Sequence, residues 1–209
     1  MLHKSTVDES TLELLKQLQQ KDYLKGFHLV GGTALALKMG HRKSVDLDLF
    51  SNFSFDTTQL LENLSADFPF KLLFSAKNTL KGSIDKVQVD ILAHRYPLIA
   101  PSVYIESINM LSIEDITAMK LNAITVSGQR VKDFIDIYYL LNLFTVEEMT
   151  GLYKKKYSQY NDANVLKSLC WFDDVDLSDW PVLLESPHLN WKTVKSKIEK
   201  ATLIYLKKI

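Results

Sequence analysis

Between residues 29 and 50 the chain reads LVGGTALALKMGHRKSVDLDLF: adjacent glycines, a run of small residues, then two aspartates one residue apart within an apolar alternation. No other feature restricts the fold as strongly. A strand turns successive side chains to opposite faces, so VDLDLF places Asp46 and Asp48 on one face and Val45, Leu47 and Leu49 on the other. The aspartate Cα atoms are then about 6.6 Å apart. Carboxylates at that spacing raise each other's pKa unless a cation lies between them. The pair suits Mg²⁺, which takes one or two carboxylates and completes its shell from substrate phosphates and water. The alternative is a turn followed by a solvated sheet face.

The glycines sharpen the choice. FHLV reads as a short strand running into Gly31 and Gly32, and TALALKM, residues 33 to 39, as a helix starting immediately after them with Thr33 as its cap. Residues without Cβ let the backbone approach a ligand closely, and a helix start offers N–H groups and a positive dipole to phosphates. Gly31, Gly32 and the Thr33 hydroxyl are therefore candidate phosphate contacts. The pattern is neither a Walker A loop nor a dinucleotide fingerprint, so it gains force only from its spacing to the aspartates.

A third acid follows. Beyond Pro69, the segments FKLLFSA, NTLKGSI and KVQVDIL alternate apolar and polar residues and are separated by the turn-prone pairs Lys77-Asn78 and Asp85-Lys86, which predicts an antiparallel meander. In the last segment Val87, Val89 and Ile91 share one face and Asp90 takes the other. If this strand lies beside VDLDLF with polar faces aligned, Asp46, Asp48 and Asp90 converge. Three carboxylates suffice to hold two cations that activate a hydroxyl and stabilise a leaving pyrophosphate. VYIESINM reads as an edge strand.

TVDESTLELLKQLQQ, with Thr6, Asp8 and Ser10 as possible caps, and TTQLLENLSADF read as helices. From Ser112 the pattern becomes helical: SIEDITAMKLNAI, QRVKDFIDIYYLLNL, then TVEEMTGLYKKKY and further segments. The expectation is an α+β chain, a mixed β-sheet domain over residues 1 to 110 and a helical part over 111 to 209.

Two helical positions stand out. Lys120 falls in the middle of the stripe formed by Ile113, Ile116, Ala123 and Ile124, where a lysine either snorkels to the surface or meets an anion. Arg130 and Asp133 flank the apolar face of Val131, Phe134, Ile135, Tyr138 and Leu141, at a spacing that permits an ion pair or simply a charged rim.

The formal net charge is +0 and demands no nucleic-acid or membrane partner, but it hides an asymmetry. Asp173, Asp174, Asp176, Asp179 and Glu185 occur without a base, whereas Lys192, Lys195, Lys197, Lys200, Lys207 and Lys208 face Glu199 alone. Lys154-Lys155-Lys156 with Tyr153, Tyr157 and Tyr160 forms either an RNA-binding surface or a solvated helix face. One cysteine, Cys170, fits a reducing compartment, and MLHKSTVDES lacks the apolar core of a secretory signal, so a cytoplasmic location is expected. The histidines show no zinc spacing.

GGT, then HRKSVDLDLF, the later VDIL strand, and Lys120 followed by RVKDFIDI together resemble, over residues 25 to 145 and in the family's order, the AbiEii/AbiGii-type abortive-infection nucleotidyltransferase toxins of the DNA polymerase β-like superfamily. The resemblance implies a minimal nucleotidyltransferase fold in which Gly31, Gly32 and Thr33 hold the triphosphate of an NTP and Asp46 and Asp48 bind Mg²⁺. It implies that Asp90 completes the metal site and accepts the proton of the incoming hydroxyl, and that Lys120 meets the nucleotide's phosphates. It makes Arg130, Asp133 and Asp136, from the pattern RxKDxxD, residues that position Lys120 or the nucleotide. It further implies a toxin paired with an antitoxin and, as in some members of the family, transfer onto the acceptor end of tRNA. The same chemistry on a protein or an aminoglycoside, and a nucleotide-binding module without turnover, are the alternatives. The helical part looks shorter than in many such toxins, and that is where an acceptor would be recognised.

Overall fold

The computed structural model describes residues 1–158 and 161–208. The strands are β1 (His28–Val30), β2 (Leu47–Ser51), β3 (Lys71–Ala76), β4 (Thr79–Ile84), β5 (Val87–Ala93), β6 (Val103–Ile105) and β7 (Ile108–Met110). The helices are α1 (Glu9–Gln19), α2 (Gly31–Met39), α3 (Thr57–Asp67), α4 (Ile113–Val126), α5 (Val131–Leu140), α6 (Val146–Lys156), α7 (Asp162–Leu169) and α8 (Trp191–Leu206). Among the described residues the strands form one mixed sheet, in the order β3-β4-β5-β2-β1-β7-β6, so the expected α+β architecture is present.

The expected meander is β3-β4-β5, antiparallel throughout. Its turns fall at the anticipated pairs, with positive φ at Asn78 (60°) and at Asp85 and Lys86 (47° and 73°). Two consecutive positive φ values give the twist that a two-residue hairpin needs.

VYIESINM, expected as one edge strand, is instead a hairpin of β6 and β7 that reverses at Glu106 and Ser107, whose φ values are 51° and 67°. β6 is the edge, and β7 runs inside the sheet, parallel to β1. Neither turn residue is Gly, Asn or Asp, so the usual signal is missing. Tertiary contacts supply what local chemistry does not: the Glu106 carboxylate pairs with Lys4 (2.5 Å) and accepts a hydrogen bond from the Leu2 amide (3.2 Å).

Two further expectations need correction. The alternation of β2 begins at Leu47, so Val45 and Asp46 precede the strand; Val45 is exposed rather than facing the core with Leu47 and Leu49. Helix α2 starts at Gly31 with Val30 in the cap position, so Thr33 lies within the first turn and caps nothing.

Leu47 and Leu49 of β2 and Val89 and Ile91 of β5 are fully buried on the core face. Helix α4 buries Ala118 and Leu121 beside Ile116 and Ile124 of the expected stripe, while Ile113 and Ala123 are half-buried, and it packs against α2, α5, α6 and α7. Its start is fixed by the Ser112 hydroxyl, which accepts a hydrogen bond from the Asp115 amide (3.0 Å). The Asp115 side chain is buried and also accepts from the Lys156 ammonium (2.7 Å), the Ser112 hydroxyl (2.7 Å) and the amides of Ile99 (3.1 Å) and Ala100 (3.2 Å). This ties α4, α6 and the loop after β5 together.

That buried pair undoes part of the expected RNA surface. Lys156, Tyr153 and Tyr157 are interior residues, and Tyr160 lies outside the described residues. On α8, Lys195 lies over the Phe172 ring (5.0 Å) and Lys197 over Tyr138 (4.3 Å). Among the described residues no helix is long and apolar enough to cross a membrane.

Candidate functional site

Strand pairing brings the acids together. β2 runs antiparallel to β1, with Asp48 opposite Val30, and parallel to β5, with Asp48 opposite Asp90. β1 delivers the chain directly to Gly31, whose φ of +68° is the left-handed region. A Cβ there would sit 2.2 Å from Asp48 Oδ2, and one on Gly32 would sit 2.5 Å from Arg42 Nη2. The protein's own charged side chains thus occupy the space that a Cβ would need at either glycine. Thr33 donates to the carbonyl of Asp46 and is 2.8 Å from Ser44 Oγ, which secures the segment leading into β2. Gly31→Ala is expected to cost more than about 1 kcal/mol in urea unfolding from the backbone alone, and more as Asp48 is displaced.

A cavity of about 460 Å³ opens here, lined by Gly31, Gly32, Thr33, Asp46, Asp48 and Lys120 together with Arg130 and Asp133. Burial pushes the Asp48 carboxyl up to about 6; Asp90 and Asp46 add to this, while Lys120 and Arg130 oppose it. A carboxylate that resists ionisation beside two others, with oxygen donors only, is the environment a hard divalent cation relieves. Asp46 and Asp48 fit such an ion.

Asp90 departs from the expected convergence. It is the register neighbour of Asp48, yet its carboxylate accepts from Lys81 Nζ on β4 (2.5 Å), and it does not line the cavity. Among the described residues no three Asp, Glu, His or Cys side chains are gathered closely enough to hold an ion.

Lys120 meets anions supplied by the protein. Its ammonium lies 2.7 Å from Asp133 and 2.6 Å from Asp136. Asp136 is fully buried and also takes both forks of Arg42 (Nε to Oδ1 2.7 Å, Nη2 to Oδ2 2.9 Å) and a hydrogen bond from His41 Nε2 (2.8 Å). Asp133 therefore pairs with Lys120 rather than Arg130, which stands exposed at the cavity mouth. Asp136 does not line the cavity, whereas its partners Lys120 and Arg42 do.

Sequence reasoning missed His41 and Arg42, although they stand inside the HRKSVDLDLF stretch, because a buried arginine cannot be told from a solvated one until its partner is known. It also missed Lys81, whose strand position opposite Asp90 in the β4–β5 register would have been the signal.

The seven-stranded mixed sheet with its packed helices has the nucleotidyltransferase fold. Two solved structures share it: JHP933 from Helicobacter pylori (TM-score 0.54, 20% identity, 97% of this chain and 94% of that one) and MenT4, a nucleotidyltransferase toxin from Mycobacterium tuberculosis (TM-score 0.58, 16% identity, 94% and 84%). The chain matches the model of the AbiEii nucleotidyl transferase toxins of type IV toxin–antitoxin systems over residues 13–203, and it belongs to that family. An uncharacterized protein of Aquifex aeolicus (strain VF5) is 32% identical over 171 residues, covering 78% of this chain and 81% of that protein.

Proposed function

We propose that this nucleotidyltransferase moves a nucleoside monophosphate from an NTP to a hydroxyl of RNA, tRNA foremost, in a Mg²⁺-dependent reaction, and that it does so as a toxin controlled by a cognate antitoxin. The observation that carries the reading is the shared cavity, in which Gly31, Gly32 and Thr33 stand beside Asp46, Asp48 and Lys120. Asp46 and Asp48 would hold the ion, and Asp90 is the adjacent acid. The bound ion would supply charge neutralisation of the phosphates and activation of the attacking oxygen.

The chain's own residues do the rest. The first turn of α2 has no side-chain cap, so its amides are open to phosphate oxygens. Lys120, pinned between Asp133 and Asp136, presents a fixed ammonium to charge developing on the phosphates, and Arg130 meets the outer phosphates at the mouth. Asp90 is the candidate acceptor of the hydroxyl's proton.

A second reading, transfer to a protein or to a small molecule such as an aminoglycoside, is favoured by one observation: the interior positions of Tyr153, Lys156 and Tyr157 remove much of the surface that pointed to RNA. Incubation with each labelled NTP, Mg²⁺ and total tRNA separates them. Label on tRNA that disappears in Lys120→Ala supports the proposal; label only on protein or drug selects the second reading.

A further inference from the structure

Across the sheet, Lys81 of β4, Asp90 of β5 and Asp48 of β2 are successive register partners, a cation and two acids in one row on one face. The Lys81 ammonium sits 2.5 Å from Asp90 Oδ2, and the two side chains are 42% and 26% exposed, so the pair is accessible from solvent, and among the described residues neither side chain has another ion-pair partner. Among the described residues the other two acids of the constellation make no ion pair: Asp46 and Asp48 face the cavity, where Lys120 is already divided between Asp133 and Asp136.

We propose that Lys81 is a positioning residue for Asp90: a tethered cation that competes with the divalent ion for the third acid. The inference rests on the assignment of Asp46 and Asp48 as the ion's ligands. An ammonium and a divalent ion cannot both sit against one carboxylate without repelling each other over a few ångströms, a distance at which screening by water is incomplete. Lys81 therefore keeps Asp90 neutralised while the site is empty and weakens the ion's hold until the ammonium swings away. Its half-exposed, flexible stem permits that movement with little disturbance to the strand. The arrangement also explains why the three acids are not gathered into a closed cage: the third is restrained one strand further out.

The test is Mn²⁺ binding to the full chain, followed by electron paramagnetic resonance of the free ion and by calorimetry. Lys81→Met is expected to bind Mn²⁺ about tenfold more tightly than the wild type, Lys81→Arg to bind like the wild type, and Lys81→Met/Asp90→Asn to lose the gain. A gain in affinity that depends on Asp90 is a change that mere structural damage does not produce. Lys81→Met binding no more tightly than the wild type, while Asp48→Asn abolishes binding, overturns the proposal alone. Mn²⁺ binding that Asp48→Asn leaves untouched overturns the assignment of the ligands, and the proposal with it.

Discussion

Asp136→Ala is expected to lower the free energy of unfolding by about 3–5 kcal/mol, measured by urea denaturation, and to abolish nucleotide transfer in whatever protein still folds. The size follows from what Asp136 holds. It is fully buried and is the common partner of Lys120, Arg42 and His41, so that it joins three parts of the chain, its own helix included. Lys120 belongs to α4, Asp136 to α5, and the other two to the segment between α2 and β2. Removing the carboxylate leaves a buried guanidinium without the anion that contacts it, with Asp133 and Asp179 acting only from further off, and a buried ammonium with Asp133 as its remaining ion-pair partner. Uncompensated buried charge, rather than the lost pair itself, is what destabilises.

The pH dependence separates this from simple loss of packing. The Arg42 and Lys120 charges and the hydrogen bonds from Arg42 and His41 outweigh burial and hold the Asp136 carboxyl well below 3.8. A carboxyl whose folded pKa is depressed adds stability above its unfolded pKa and loses it as pH falls toward the folded one. The wild type should therefore lose its advantage over Asp136→Asn progressively below pH 4, and the two should differ by a constant amount at neutral pH. Asp133→Ala is a useful comparison, because among the described residues Asp133 forms an ion pair with Lys120 and no other side chain, and it should cost less. Equal costs for the two variants would refute the view of Asp136 as the hub.

The parts of this architecture that were legible in the sequence are those where local pattern and tertiary environment agree. The meander from Lys71 to Ala93 could be read because its alternation is uninterrupted and its turns carry residues tolerant of positive φ. The candidate site could be read because GGT and DLDLF lie close in sequence and the pairing of β1 with β2 brings them close in space. The β6–β7 reversal could not, since Glu106 and Ser107 owe their conformation to Lys4 and Leu2, about a hundred residues away. Lysines were misread for the same reason. Lys156 looks identical in sequence to Lys154 and Lys155, yet its ammonium is interior because Asp115 and the Pro97 carbonyl receive it. A charged side chain announces its type but not its partner, and in this chain the partners of Lys81, Lys120 and Lys156 decide what each does.

Asp48→Asn should show opposite effects on activity and on stability. Transfer is expected to fall about a thousandfold or more, because the substitution removes a carboxylate from the pair that would hold the ion and from the field that the phosphates meet. Stability of the ion-free protein at pH 7 should instead rise. The Asp48 carboxyl titrates at about 6 instead of 3.8, chiefly through burial and then through Asp90, so the folded state binds a proton that the unfolded chain has already released. With a raised folded pKa, wild-type stability falls as pH climbs from about 4 to about 6 and is level above that, by at most about 3 kcal/mol. Asparagine has no charge to accommodate, so Asp48→Asn should match the wild type near pH 4 and exceed it by about 1 to 3 kcal/mol at pH 7 to 8. Adding Mg²⁺ or Mn²⁺ should close that gap by stabilising the wild type alone, since an ion that binds only the folded form shifts unfolding by mass action. Thermal unfolding at several pH values, with and without the ion, measures all three quantities. An Asp48→Asn protein less stable than the wild type at pH 7 without metal would mean that the acid is serving the fold, and that its strained ionisation is not reserved for a cation.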